Sequence, residues 1–117
     1  MKSTTAIRDL VIESLKEMKA NDIATLNVKK LTTITDFMIV CSGTSTRHVK
    51  SISDHLIHKI KVAGMQPIGR EGEKEGDWIL VDIGDVIVHI MLPRVRDFYH
   101  LEKLWHRDKA NTVKKDE

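Results

Sequence analysis

The sequence has few of the residues that indicate a disulfide-stabilised or membrane-spanning protein. Its 117 residues include one cysteine, two prolines and only 4% aromatic residues. A single cysteine excludes an internal disulfide and an all-cysteine zinc site. The longest apolar run, residues 37–41, is far shorter than the ~20 residues of a membrane span, and no secretory signal is visible. We therefore expect no membrane association and a reducing, cytoplasmic location.

A strong excess of charge of either sign is also lacking. The net charge is +2, and hydrophobic and charged residues make up 41% and 31% of the chain. This composition is typical of one globular domain and does not by itself indicate nucleic-acid binding. The charge is unevenly distributed, because residues 71–85 hold six acidic residues and one base, Lys74. Such a patch favours a basic partner, although a solvated hairpin and loop would have the same composition.

Hydrophobic periodicity predicts a single α/β domain with a mixed β-sheet and helices mainly on one face. The predicted order is helix, strand, strand, helix, three strands and helix. A continuous apolar run at residues 36–42 predicts a strand buried on both faces. The second helix carries a buried stripe at helical spacing, with Ser45 as its cap and Gly64 at its end. Pro67 and Ile68 suggest a short extended piece, followed by an exposed loop over residues 69–77.

The clearest element is a hairpin over residues 77–92, which turns at Gly84-Asp85. Alternation assigns its core face to three aliphatic pairs: Ile79 with Ile90, Val81 with Val88, and Ile83 with Val86. The opposite face pairs Trp78 with Met91, Leu80 with His89, and Asp82 with Ile87.

The second hairpin face is the candidate functional surface. Asp82 and His89 are costly to bury without partners, and we expect three helices in so short a chain to leave one face of the sheet partly open. An open face with an indole and aliphatic side chains beside an acid favours protein docking. Tyr99 and Glu102, which lie off the core stripe of the last helix, would extend the patch. Ordinary core packing is the alternative.

Other chemistry-bearing residues have simpler structural interpretations. Cys41 fits a buried core position, and the run Ser42–Ser45 before a helix lacks the full phosphate-loop pattern. His55 and His58 could share a metal, but no third ligand is marked. Asp82 and Asp85 flank a turn, where aspartate is common. We predict no metal, no cofactor and no catalytic residue. Two alternatives stay open: a magnesium-dependent nucleotidyltransferase site at Ser42, Ser45, Asp82 and Asp85, and direct binding of RNA through Arg47, Lys50, Lys59 and Lys61.

Three runs resemble the Iojap-type ribosomal silencing factor family. They are residues 36–49 (DFMIVCSGTSTRHV), residues 76–90 (GDWILVDIGDVIVHI) and residues 98–105 (FYHLEKLW). Glu71-Gly72 also lies where that family has a Glu-Gly pair. The three runs occur in the family's order and spacing, so the resemblance is specific.

This resemblance implies a silencing-factor domain at residues 1–106, with a flexible polar tail at 107–117. It implies a nucleotidyltransferase-like fold without enzymatic activity, because no Asp-x-Asp pair follows Gly43 at the distance that such chemistry uses. It further implies binding of the large ribosomal subunit at ribosomal protein fourteen, which would block joining of the small subunit and lower translation when nutrients are short. The free protein would form a homodimer. The expected partner-binding residues are Trp78, Leu80, Asp82, His89, Met91, Tyr99 and Glu102.

Overall fold

The helices and strands occur in the order that the sequence pattern predicts. A computed structural model describes residues 3–99, except for the side chains of residues 98 and 99. The elements are α1 (Thr4–Glu17), β1 (Asn21–Asn27), β2 (Phe37–Ser42), α2 (Thr46–Val62), β3 (Gly69–Glu71), β4 (Trp78–Asp82), β5 (Val86–Met91) and α3 (Pro93–Tyr99).

Serine side chains begin both long helices. The Ser3 hydroxyl accepts a hydrogen bond from the backbone N–H of Ala6, and the Ser45 hydroxyl accepts one from the N–H of His48. Each bond satisfies a backbone donor that has no partner inside the helix. Helix α2 ends just before Gly64, whose φ of +88° is the left-handed conformation that terminates helices. The predicted cap Ser45 and terminator Gly64 are therefore confirmed.

The five strands form one mixed sheet in the order β1-β2-β5-β4-β3. Strands β2 and β5 pair in parallel, and the other neighbouring strands are antiparallel. The β4–β5 register is the one that alternation predicts, with Trp78 opposite Met91 and Leu80 opposite His89. This register places Trp78, Leu80 and Asp82 on one face of the sheet, because successive side chains of a strand point to opposite faces.

The main core lies between the sheet and helices α1 and α2. The stripe of α2 is fully buried at Val49, Ile52, Leu56 and Ile60, and it packs against aliphatic residues of β4 and β5. All six residues of β2 are buried, which confirms the prediction for this central strand. Two of the three helices thus cover the same face.

The opposite face of the sheet is partly covered and partly open. A second core cluster covers β1, β2 and the end of β5, and consists of Leu26, Val28, Met38, Val40 and Met91. Leu31 and Val95 pack on this cluster. The segment after β1 and the start of α3 therefore close part of the face, and the open part lies over β4 and the start of β5.

Part of the predicted loop after α2 is a strand. Strand β3 covers Gly69–Glu71, where the sequence predicts an exposed loop. The extended piece predicted at Pro67 and Ile68 therefore begins two residues later, at Gly69. Pairing with Leu80, Val81 and Asp82 of β4 holds these residues in a strand. The predicted tail at 107–117 lies outside the described residues.

Candidate docking site

Strands β4 and β5 leave a half-exposed group of side chains on the open part of the sheet. Trp78, Leu80, Asp82 and Ile87 all have intermediate burial. Trp78 also packs against the second core cluster, so one side of its ring is supported by the protein. We call Trp78, Leu80, Asp82 and Ile87 the sheet patch. Its members come from the hairpin face that the sequence singled out.

His89 and Met91 do not belong to the exposed surface, contrary to their expected role as contact residues. His89 is 6% exposed and Met91 is 0% exposed. Met91 belongs to the second core cluster, which the segment after β1 and the start of α3 cover. Neither side chain can contact a partner in this arrangement, and both instead lie beneath or beside Trp78.

A hydrogen bond between Trp78 and His89 fixes the indole ring. The Nε1–H of Trp78 donates to Nδ1 of His89 at 3.0 Å, and the ring centroids are 6.0 Å apart. An accepting Nδ1 requires the neutral imidazole with its proton on Nε2. Burial disfavours the charged form and lowers the pKa of His89 to about 4. The buried imidazole is therefore neutral and is hydrogen-bonded to the partly buried indole. Its burial thus does not carry the cost of an unpaired charge, which we expected from the sequence.

Carboxylates surround the exposed side of Trp78. A shallow depression of about 420 Å³ is lined by Trp78 and Leu80 together with Glu71, Glu75 and Asp77. The sequence indicated an acidic segment here but did not assign these three acids to the site. In the sequence, these three acids could be found only as members of the acidic run. The β3–β4 connection brings this run next to Trp78 and Leu80. The depression thus combines an apolar floor with an acidic rim.

Two glycines allow the β3–β4 connection to follow this path. Gly72 has φ +89°, and a Cβ at this position would lie 2.1 Å from the carbonyl oxygen of Trp78. Gly76 has φ +77°, and its Cβ would lie 2.7 Å from Cε of Lys50. L-residues rarely adopt positive φ, and the first contact is with backbone that cannot move aside. Gly72 therefore sets how closely the acidic connection approaches Trp78.

The remaining partner-binding predictions cannot be placed. The side chain of Tyr99 and the whole of Glu102 lie outside the described residues. Asp82 is described, and its Oδ1 accepts a hydrogen bond from the N–H of Gly84 at 2.9 Å. This aspartate therefore supports the β4–β5 turn in addition to its position on the sheet patch.

The residues of the alternative nucleotidyltransferase site have structural partners. Ser42 Oγ accepts from Arg96 Nη1 at 3.1 Å, and Asp85 Oδ2 accepts from the Thr4 hydroxyl at 3.1 Å. Ser45 caps α2 and Asp82 holds its turn, as described above. Within residues 3–99, no three His, Cys, Asp or Glu side chains converge as a metal site would require.

Two more candidate residues have local explanations. Cys41 is fully buried, and desolvation raises the pKa of its thiol to about 12, which keeps it protonated. His55 Nε2 lies 2.7 Å from Oε1 of Glu17, so this ring links α2 to α1. Hydrogen bonds from His55 and Lys59 hold the pKa of the Glu17 carboxyl below its usual value. Among the described helices, none is long and apolar enough to cross a membrane.

Comparisons with known proteins give a consistent result. The sequence model of a family described as "Ribosomal silencing factor during starvation" matches residues 2–117. A protein of Chromobacterium violaceum named ribosomal silencing factor RsfS is 47% identical over 90% of this chain and 86% of its own length. A mouse protein named "Mitochondrial assembly of ribosomal large subunit protein 1" is 35% identical over 83% of this chain and 44% of its own length. A crystal structure of a Chromobacterium violaceum protein, 45% identical, superposes with a TM-score of 0.88 over 89% of this chain and 87% of that one.

Proposed function

Because this chain belongs to the ribosomal silencing factor family, we propose that it binds the large ribosomal subunit and lowers translation when nutrients are short. It docks at ribosomal protein fourteen and occupies space that the small subunit needs in order to join. It acts in the cytoplasm, where it meets free large subunits. The free protein is a homodimer in this proposal.

The acid-rimmed depression at Trp78 is the observation that carries the proposal. A partly buried tryptophan at an open sheet face suits the role of an anchor residue, because tryptophan is enriched among the residues that dominate binding energy at protein interfaces. Leu80 supplies an adjacent apolar contact, and Glu71, Glu75 and Asp77 surround both. Ribosomal proteins are generally rich in lysine and arginine, so these carboxylates favour such a partner and orient it.

Rigid support of the indole makes the anchor effective. The bond to His89 and the packing against the second core cluster hold Trp78 in one orientation before any partner arrives. A preorganised side chain loses less conformational entropy on binding. His89 and Met91 thus act as positioning residues, while Trp78, Leu80 and Asp82 make contact. Tyr99 and Glu102 extend the contact surface in this proposal.

Inhibition by occupancy requires no catalytic turnover and no cofactor. The rival function is a nucleotidyltransferase that uses Ser42, Ser45, Asp82 and Asp85, and the nucleotidyltransferase-like fold itself stays a prediction. The rival requires nucleotide binding that depends on magnesium. Titration calorimetry with ATP and magnesium distinguishes the two functions, since the silencing mechanism predicts no heat of binding.

Stoichiometry tests the proposed mechanism directly. Purified large and small subunits are mixed with increasing amounts of the protein, and joined ribosomes are separated on sucrose gradients. A blocking protein suppresses joining in proportion to the fraction of large subunits that it occupies, and the effect saturates at one bound copy per large subunit. Suppression by a small fraction of one copy per subunit would contradict the mechanism and indicate an enzyme.

A further inference from the structure

The outer face of α2 has a linear arrangement of charged side chains. Arg47, Lys50, Asp54, His58 and Lys61 are all exposed. At 3.6 residues per turn these positions fall within an arc of about 80° and extend for about 21 Å along the helix. We call them the α2 stripe. The stripe lies opposite the buried side of α2, on the helix-covered face of the sheet, away from the sheet patch.

The only acid on the stripe is paired with an arginine. Asp54 Oδ1 accepts a hydrogen bond from Arg70 Nη1 at 2.7 Å, and Arg70 also donates to the Ser53 hydroxyl at 3.0 Å. Glu73 lies 3.9 Å from Nε of the same guanidinium. One arginine of β3 is therefore shared between two carboxylates. This group of three side chains keeps one net negative charge, which the three cations Arg47, Lys50 and Lys61 of the stripe outweigh.

Three of those cations have no local partner. Arg47, Lys50 and Lys61 form no ion pair within 4.0 Å with any residue between 3 and 99. The stem of Lys50 also lies against Gly76 of the β3–β4 connection, which restricts its position. Unpaired cations that follow one line along a helix suit a ligand with regularly spaced negative charges.

Lys59 must be removed from the set of basic residues that the sequence suggested. Its Nζ lies 3.2 Å from Glu17 and 3.8 Å from Glu13, so this side chain faces α1. Helical geometry places it on a different side of α2 from Lys50 and Lys61. The four basic residues therefore separate into three on the stripe and one that pairs within the protein.

We propose that the α2 stripe binds the phosphodiester backbone of RNA. Arginine and lysine contact phosphate oxygens in any sequence context, and a row of three cations over about 21 Å suits an extended polyanion. The acids that line the depression repel the same polyanion, which restricts the orientations in which the protein can bind RNA. The choice of RNA rests on the proposed function, because a protein docked on the large subunit has ribosomal RNA beside it.

Fluorescence anisotropy with a labelled RNA hairpin of ~20 nucleotides tests the proposal. Sequence-independent binding through few phosphate contacts gives dissociation constants of about 1 to 100 µM. Three phosphate contacts predict that the affinity falls about 20- to 40-fold between 50 and 200 mM salt. Replacing Arg47, Lys50 and Lys61 together by glutamine is expected to weaken binding at least tenfold at 50 mM salt and to flatten the salt dependence.

A matched variant removes the same charge elsewhere. Lys16, Lys19 and Lys59 lie off the stripe, and their replacement by glutamine changes the net charge by the same amount. This control is expected to bind the hairpin within about threefold of the unmodified protein, since each contacted phosphate contributes separately to the salt dependence. Circular dichroism confirms that both variants are folded.

Several results would overturn the proposal. One is an equal loss of hairpin affinity in both triple variants, and another is no detectable hairpin binding at 50 mM salt. A third is competition by a polyglutamate peptide that is as effective as competition by unlabelled RNA, which would assign the surface to an acidic protein. Trp78→Ala separates this inference from the proposed function. It is expected to leave hairpin binding unchanged. Trp78→Ala therefore tests subunit binding, whereas the triple variant of the stripe tests RNA binding.

Discussion

Mild acid should destabilise this fold through one buried side chain, His89. The imidazole is 6% exposed and accepts a hydrogen bond from Trp78 in its neutral form. Desolvation lowers its pKa from the ordinary 6.5 to about 4 in the folded protein. In the unfolded chain the ring takes up a proton near its ordinary pKa, so between these two values the unfolded state binds more protons. Stability therefore falls as the pH decreases through this window.

The size of the effect follows from the difference between the two pKa values. The full difference between 6.5 and about 4 corresponds to about 3 kcal/mol of unfolding free energy. Between pH 7 and pH 5 the linkage relation gives a loss of about 2 kcal/mol. Glu17, whose pKa is held below its usual 4.5, acts at lower pH and leaves this interval unaffected. With an ordinary urea dependence, the midpoint of unfolding moves by about 1 M.

Urea denaturation at pH 7, 6 and 5 measures this loss, and His89→Asn provides the matched control. Asparagine keeps an acceptor for the Trp78 Nε1–H but has no titrating group. The unmodified protein is expected to lose about 2 kcal/mol more than the variant over this interval. Equal losses in both proteins would refute the assignment of the pH dependence to His89.

Three substitutions and two control variants probe the packing that positions the site, all measured by urea denaturation. Gly72→Ala places a Cβ 2.1 Å from the carbonyl oxygen of Trp78 at a positive φ and should cost about 2 kcal/mol or more. Gly69→Ala, which meets nothing within 4 Å, should be nearly neutral; equal effects would contradict the predicted clash. Leu56→Ala removes a fully buried side chain of the main core and should cost about 2–5 kcal/mol, so a loss below 1 kcal/mol would count against tight packing there. Ser45→Ala removes the α2 cap and should cost about 1 kcal/mol, whereas Ser45→Thr should retain most of the stability.

The hairpin was the most predictable part of the molecule. Alternating aliphatic residues on both sides of Gly84-Asp85 allow a single register, and the structure has that register from Trp78↔Met91 to Asp82↔Ile87. A one-residue slip would move Ile79 and Val81 of β4 from the core to the opposite face. The burial of β2 was equally predictable, because a strand with a continuous apolar run must be covered on both faces. All six of its residues are buried.

The extent of the open face was not predictable, because it depends on where distant segments pack. Leu31 lies far from β5 in the sequence and Val95 lies in the helix that follows β5, and both pack on the cluster that contains Met91. The alternation pattern therefore assigned His89 and Met91 to the correct face but could not show that they were covered. Similarly, the acidic run was visible, but only the path set by Gly72 places Glu71, Glu75 and Asp77 around Trp78.

Co-sedimentation with isolated large ribosomal subunits tests the role of Trp78 most directly. Truncation of an interface anchor costs ~2 kcal/mol or more, which is about a 30-fold loss of affinity. Val62, which is 71% exposed at the end of α2, provides a control for truncating an exposed apolar residue. The account predicts that Val62→Ala sediments with large subunits as the unmodified protein does, while folded Trp78→Ala stays in the supernatant. Equal sedimentation of the two variants would contradict docking through the sheet patch.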